Sequence, residues 1–160
     1  MTNAAEHHRA RRLALQGLCC LDVQGEAALD VALGFVRESR ETPATVAEAE
    51  SVLLATFAAR AQADALMEGQ SRHWNVTRMA LVDRNILRLA LWELLTNRAG
   101  KKVVITEALR LAKEFSSAES ARFVNGVLDA AAKRIEQDRS RDARGFGRDA
   151  GDAGDSKEEQ

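Results

Sequence analysis

The chain has 160 residues and a formal net charge of −1, so no overall field draws it to nucleic acid and any RNA contact must come from a local patch. Its hydrophobic fraction is 46%, yet aromatics are 4%, Tyr is absent and Pro occurs once; alanine and leucine must fill the core, which favours close-packed helices over a sheet. Adjacent Cys19 and Cys20 make no disulfide framework, no apolar run reaches the ~20 residues of a membrane span, and no secretory signal opens the chain, so a reduced, cytoplasmic protein away from membranes is expected.

Residues 1–6 are short and polar and are expected to fray. From His7 to about Val23, Ala10, Leu13, Ala14, Gly17, Leu18 and Leu21 follow helical spacing. Arg9, Arg12 and Gln16 share another face, and Gly17 would let a neighbouring backbone approach. Gln24-Gly25 breaks the pattern. Ala28, Val31, Ala32, Phe35 and Val36 form the stripe of a second helix ending near Ser39. After the connection from Arg40 to Ala44, Thr45 with Glu48 reads as a capping box. The stripe Val46, Ala49, Val52, Leu53 and Phe57 continues through Ala61, Ala65 and Leu66, as one helix or as two with a bend near Arg60. Gly69 is a plausible C-terminal cap before a connection to Asn75.

The segment from Thr77 to about Asn97 is the most apolar and predicts the central helix. After Arg98-Ala-Gly100, a helix from Lys101 to Phe115 is expected; its Val-Val-Ile run suits a strand, but no second strand exists to pair with it. The last helix starts at Ser116 or Ser117, with Ser116 and Glu119 spaced as a capping box and Phe123, Val124, Val127, Leu128, Ala131 and Ile135 as its stripe. Gly126 sits inside it and suggests close packing. Residues 139–160 hold four glycines, five Lys/Arg and six Asp/Glu, too little apolar surface for a core, and are expected to be a disordered tail behind a single 1–138 domain.

No glycine-rich phosphate loop, CxxC, HExxH or paired metal-ligand spacing occurs. His73, beside Trp74, reads as a surface or packed histidine. Glu93 and Glu107 fall on different helices; a carboxylate among apolar helices is more often a salt-bridge partner than a general acid. The residues therefore argue against an enzyme and call for no metal or cofactor. His7, His8, Arg9, Arg11 and Arg12 put five basic-type residues in six positions, suited to phosphates and stacked bases of single-stranded RNA. The competing reading is a solvated helix start, because arginine is the default cation of this chain.

Three blocks carry a resemblance: HRARRLALQGL, VDRNILRLALWELL and KKVVITEALRLAKEFSSAESARFVNGVLD. Together they resemble the NusB family of bacterial transcription antitermination factors, over roughly residues 7–137. The resemblance implies an all-α fold of two packed helical bundles, about seven helices in all. It implies a protein that pairs with NusE, a small-subunit ribosomal protein, and binds boxA leader RNA. The pair would join the RNA polymerase antitermination complex and promote read-through in ribosomal RNA operons.

By position, the resemblance implies RNA contact at Arg9, Arg11, Arg12, Gln16 and Phe123, and NusE contact at Asp83, Phe115 and Glu119. Core packing is the competing reading for Phe115 and Phe123; for Asp83 it is a salt bridge to Arg84, Arg88 or a neighbouring helix. The chain departs from the family at Arg98-Ala-Gly-Lys101, at Thr106, at Ser116 where a glycine is usual, and at Glu119 in place of Asp. Two alternatives stand beside this reading. One is an RNA-targeting domain related to those of ribosomal RNA methyltransferases; the other is a homodimer with a masked RNA face.

Overall fold

Helix α5 (Leu81–Leu95) is buried around most of its circumference and forms the wall shared by two helical bundles. The computed structural model describes residues 3–69 and 75–146. Around α5 stand α1 (Ala4–Gln24), α2 (Leu29–Arg37), α3 (Pro43–Ala58), α4 (Arg60–Glu68), α6 (Lys101–Phe115) and α7 (Ala118–Phe146). Short 3-10 turns occupy Glu26–Ala28 and Val76–Arg78, and no strand occurs among the described residues.

The two bundles have separate cores. Ala14, Leu18, Leu21, Ala32, Val36, Val52 and Leu53 of α1, α2 and α3 meet Leu89 and Trp92 of α5. On its other side α5 gives Ile86, Leu87, Ala90, Leu91 and Leu94 to a core with α4, α6 and α7, which Leu15 of α1 also enters. Removing these leucine and isoleucine side chains from water is the main stabilising term, about 1.5–3 kcal/mol for each fully buried one. The Val-Val-Ile run is helical: Val104 is buried while Val103 is exposed.

The ends of the helices carry most of the departures from expectation. The N-terminus does not fray at residue 3: Asn3 accepts from the Glu6 amide and Glu6 accepts from the Asn3 amide, a capping box that starts α1 at Ala4. Thr45 does not cap α3. Thr42 does, its Oγ1 accepting from the Thr45 amide at 3.2 Å, with Pro43 as the first helical residue, where its missing N–H costs nothing. The bend near Arg60 is real and divides α3 from α4. Helix α5 begins at Leu81 rather than Thr77, the preceding residues forming a 3-10 turn. It ends with Asn97 at φ 52°, which lets the Arg98 amide reach back to the Glu93 carbonyl at 3.1 Å.

Helix α7 starts from Ser117, whose Oγ accepts from the Ser120 amide at 3.1 Å, and not from a Ser116–Glu119 box. It then runs to Phe146, past the boundary expected at Asp138. The physical reason is Arg139, which donates to the Leu94 and Leu95 carbonyls at 2.7 and 3.1 Å and so satisfies the C-terminus of α5. Residues 147–160 of the expected tail, and His73 with Trp74, lie outside the described residues.

Three packing expectations are also corrected. Val31 and Phe35 are exposed, because α2 turns Ala32, Leu33 and Val36 inward instead. Gly17 is closely approached by a side chain rather than a backbone: an added Cβ would lie 2.8 Å from Leu53 Cδ2. Gly126 is not a close-packing position, since an added Cβ there would meet nothing within 4 Å.

Candidate nucleic-acid and protein interface

Helix α1 sorts its basic residues by helical phase. At 100° per residue Arg9, Arg12 and Gln16 fall within about 60° of one another, while Arg11 is about 160° away from Arg9. The structure follows this. Gln16 is exposed, Arg9 and Arg12 are half-exposed, and Arg11 and His8 are buried.

Arg11 is therefore a correction to the expected RNA-contacting set. Its Nε and Nη2 donate to the Glu93 carboxylate at 3.1 and 2.9 Å, and Glu93 is itself only 1% exposed. Its Nη1 lies 3.9 Å from Glu107, so one guanidinium faces both acids. A guanidinium held under the surface in this way joins α1 to α5 and is not presented to a phosphate. His8 is held likewise, with Nδ1 2.6 Å from Glu107 Oε2 and Nε2 3.3 Å from Glu114 Oε2.

The outer basic side chains are also matched. Arg9 Nε donates to Glu41 Oε2 at 2.8 Å, Arg12 Nε is 2.6 Å from Glu114 Oε1, and His7 Nδ1 is 2.6 Å from Glu48 Oε1. The basic run is thus a zwitterionic face. The acids that neutralise it (Glu41, Glu48, Glu93, Glu107 and Glu114) were not marked as part of a site by any sequence spacing. They come from the α2–α3 link, α3, α5 and α6.

Arg12 also leads to the α6–α7 corner. Its guanidinium carbon lies 5.7 Å from the centroid of the Phe115 ring, within cation–π range. Phe115 and Phe123 are both partly buried against the second core, so the packing reading holds for part of each ring. Glu119, in the first turn of α7, is exposed. Ser116 has φ −138°, so the turn does not use the left-handed conformation that a glycine would favour.

Asp83 is 6% exposed and makes no salt bridge with Arg84 or Arg88, which pair instead with Asp22 and Asp64. Ser120 Oγ of α7 donates to its Oδ2 at 3.1 Å, and Oδ1 is buried without a hydrogen-bond partner. Burial pushes the Asp83 carboxyl above the ordinary range, partly offset by the Ser120 hydrogen bond. Asp83 therefore sits beneath the corner, holding the first turn of α7, and does not form its outer surface. Sequence reasoning missed Ser120; its place one turn after Ser116 was the available signal.

Arg12, Phe115 and Ser120 thus link the outer face of α1 to the α6–α7 corner. Such a surface can bind anionic and protein ligands side by side. Among the described residues no group of three or more His, Cys, Asp and Glu is arranged to hold a metal ion, and no helix is long and apolar enough to cross a membrane.

Comparison with known proteins gives one consistent result. The sequence pattern of the NusB family matches residues 8–133. The transcription antitermination protein NusB of Anaeromyxobacter sp. (strain Fw109-5) is 42% identical over 134 residues, covering 83% of this chain and 94% of the relative. That of Sorangium cellulosum is 39% identical over 133 residues, covering 81% and 95%. Among solved structures, NusB of T. maritima matches with a TM-score of 0.73 at 28% identity, covering 83% of this chain and 93% of that one. A NusB chain crystallised with NusE and double-stranded RNA also matches with a TM-score of 0.73, at 25% identity, covering 82% and 99%.

Proposed function

The chain belongs to the NusB family, and from that premise we propose that it pairs with NusE, binds boxA leader RNA and promotes read-through in ribosomal RNA operons as part of the RNA polymerase antitermination complex. Its relatives are transcription antitermination proteins, so it acts by binding and is not an enzyme. The observation that carries the reading is the continuity of the α1 outer face with the α6–α7 corner through Arg12, which pairs with Glu114 and stands over Phe115. RNA would follow Arg9, Arg12 and Gln16 toward Phe123, while NusE would take the corner at Phe115 and Glu119. Asp83 supports that corner from below. A solved relative was crystallised with NusE and double-stranded RNA together, which supports both kinds of ligand for this chain.

The test is binding of a labelled single-stranded boxA RNA, with a duplex RNA as comparison, in the presence and absence of NusE. NusE is expected to tighten binding. The double substitution R9Q/R12Q is expected to weaken it and to reduce the salt dependence by about 1.4 in log–log slope, at ~0.7 for each phosphate contact on a single strand. Unchanged binding by R9Q/R12Q across several salt concentrations would rule out this RNA face.

A further inference from the structure

The two exposed arginines of α1 are already occupied by carboxylates. Glu41 approaches Arg9 from the α2–α3 link at 2.8 Å, and Glu114 approaches Arg12 from the last turn of α6 at 2.6 Å. A carboxylate facing a guanidinium uses the same planar donor fork that a phosphate uses. Both acids stand at the Nε edge, so an RNA phosphate that takes this edge of either guanidinium must share or displace them. Displacement is feasible here, because the side chains of Arg9 and Glu41 are 35% and 28% exposed and those of Arg12 and Glu114 are 41% and 33% exposed. Solvated pairs of this kind are weak. The contrast is Arg11 with Glu93, which are 9% and 1% exposed and beyond a ligand's reach.

We propose that Glu41 and Glu114 are built-in competitors of RNA phosphate at Arg9 and Arg12, and that they set the RNA affinity of this chain below what its basic run would otherwise give. A single stray phosphate gains little against such a pair. A strand that presents several phosphates along α1 displaces both acids in one event. The acids thus favour a continuous RNA over isolated anions. This inference rests on the reading of α1 as an RNA face.

The experiment titrates boxA RNA with the full chain, with NusE held constant, using E41Q, E114Q, the double variant and E50Q. Glu50 pairs with Arg37 of α2 and not with an α1 residue, so E50Q changes net charge equally without freeing an α1 cation. E114Q also alters a 3.3 Å contact with His8, which makes E41Q the cleaner arm. E41Q and E114Q are each expected to bind RNA roughly two- to fivefold more tightly, as loss of an exposed competing pair allows. Their salt dependence should steepen by up to about 0.7 for each freed arginine. Binding no tighter than that of E50Q, or weaker than that of the native chain, would overturn the proposal and make the acids orienting partners instead. If R9Q/R12Q leaves binding unchanged, the RNA face itself fails and this inference with it; if R9Q/R12Q weakens binding while the Gln variants do nothing, only the competition fails.

Discussion

Arg11 closes on both carboxylate oxygens of Glu93, with Nη2 2.9 Å from Oε1 and Nε 3.1 Å from Oε2, and so ties α1 to the shared helix α5 at the seam of the two bundles. Removing one partner strands a buried charge. R11A is expected to lose about 3–5 kcal/mol of stability, read as a lower urea midpoint. The double variant R11M/E93L replaces the pair with apolar groups and should recover most of the loss. An R11A protein of native stability would show that the pair does not hold the seam.

Two mid-helix glycines make opposite predictions. At Gly17 a new Cβ would press on Leu53 Cδ2 at 2.8 Å, and overpacking of a closed core costs about 1–3 kcal/mol. The better helix propensity of alanine offsets up to about 1 kcal/mol of that, so G17A should be neutral to moderately destabilised. At Gly126 nothing lies within 4 Å and the residue is exposed, so G126A should gain about 0.5–1 kcal/mol. Thermal melts of the two variants shifting the same way would contradict this contrast.

The helices were legible because apolar residues recur at helical spacing along nearly every element; their division into two bundles was implied only by the family resemblance. What was misread follows from physics that spacing alone does not carry. Thr42 and Thr45 both offer a hydroxyl, and only Pro43, fit for a first helical position, decides between them. The face of Arg9, Arg12 and Gln16 was readable from helical phase, and the same phase would have removed Arg11. The partners of the basic residues were only partly readable: Glu93 and Glu107 were read as salt-bridge partners, but no spacing joins Arg9 to Glu41, 32 residues away, or Arg11 to Glu93, 82 away. Those pairings are set by how the bundles pack.

Asp83 gives a pH-dependent test. Burial raises its folded-state pKa above the ordinary carboxylate value, against a smaller lowering by Ser120. The folded protein therefore holds this proton more tightly than the unfolded chain. Its contribution is most favourable below the ordinary carboxylate range and becomes a penalty as pH rises through the raised pKa. D83N removes the charge while its amide oxygen can still accept from Ser120. Relative to the native chain, D83N should be more stable at neutral pH, with the gain shrinking as pH falls toward the ordinary carboxylate range. Urea midpoints at several pH values would read this, and a pH-independent difference would argue against a buried, charged Asp83.

Arg139 extends the fold past the expected domain boundary by donating to the last carbonyls of α5 at 2.7 and 3.1 Å. R139A should lose roughly 0.5–1.5 kcal/mol, the net worth of an ordinary hydrogen-bonded cap. Truncation after Asp138 should lose at least as much, because it removes Arg139 together with the final turns of α7. Equal stability of the truncated and full chains would return the boundary to Asp138.

Arg12 separates charge from shape at the interface. It pairs with Glu114 and stands 5.7 Å from the Phe115 ring centroid, so one planar group serves an acid and an aromatic face together. Lysine keeps the charge but offers no planar fork and stacks poorly on a ring. If RNA uses Arg12 only as a charge, R12K should bind boxA RNA as the native chain does. The geometry favours the other outcome: R12K loses several-fold in affinity with its salt slope unchanged, whereas R12Q loses affinity and about 0.7 of slope. F115L tests the same link from the partner side. It keeps an apolar side chain at the corner but removes the ring that helps to position Arg12, so it should weaken RNA binding while leaving the salt slope intact. RNA binding by F115L equal to the native chain, measured with NusE saturating, would mean that the two surfaces meet at Arg12 without being coupled through it.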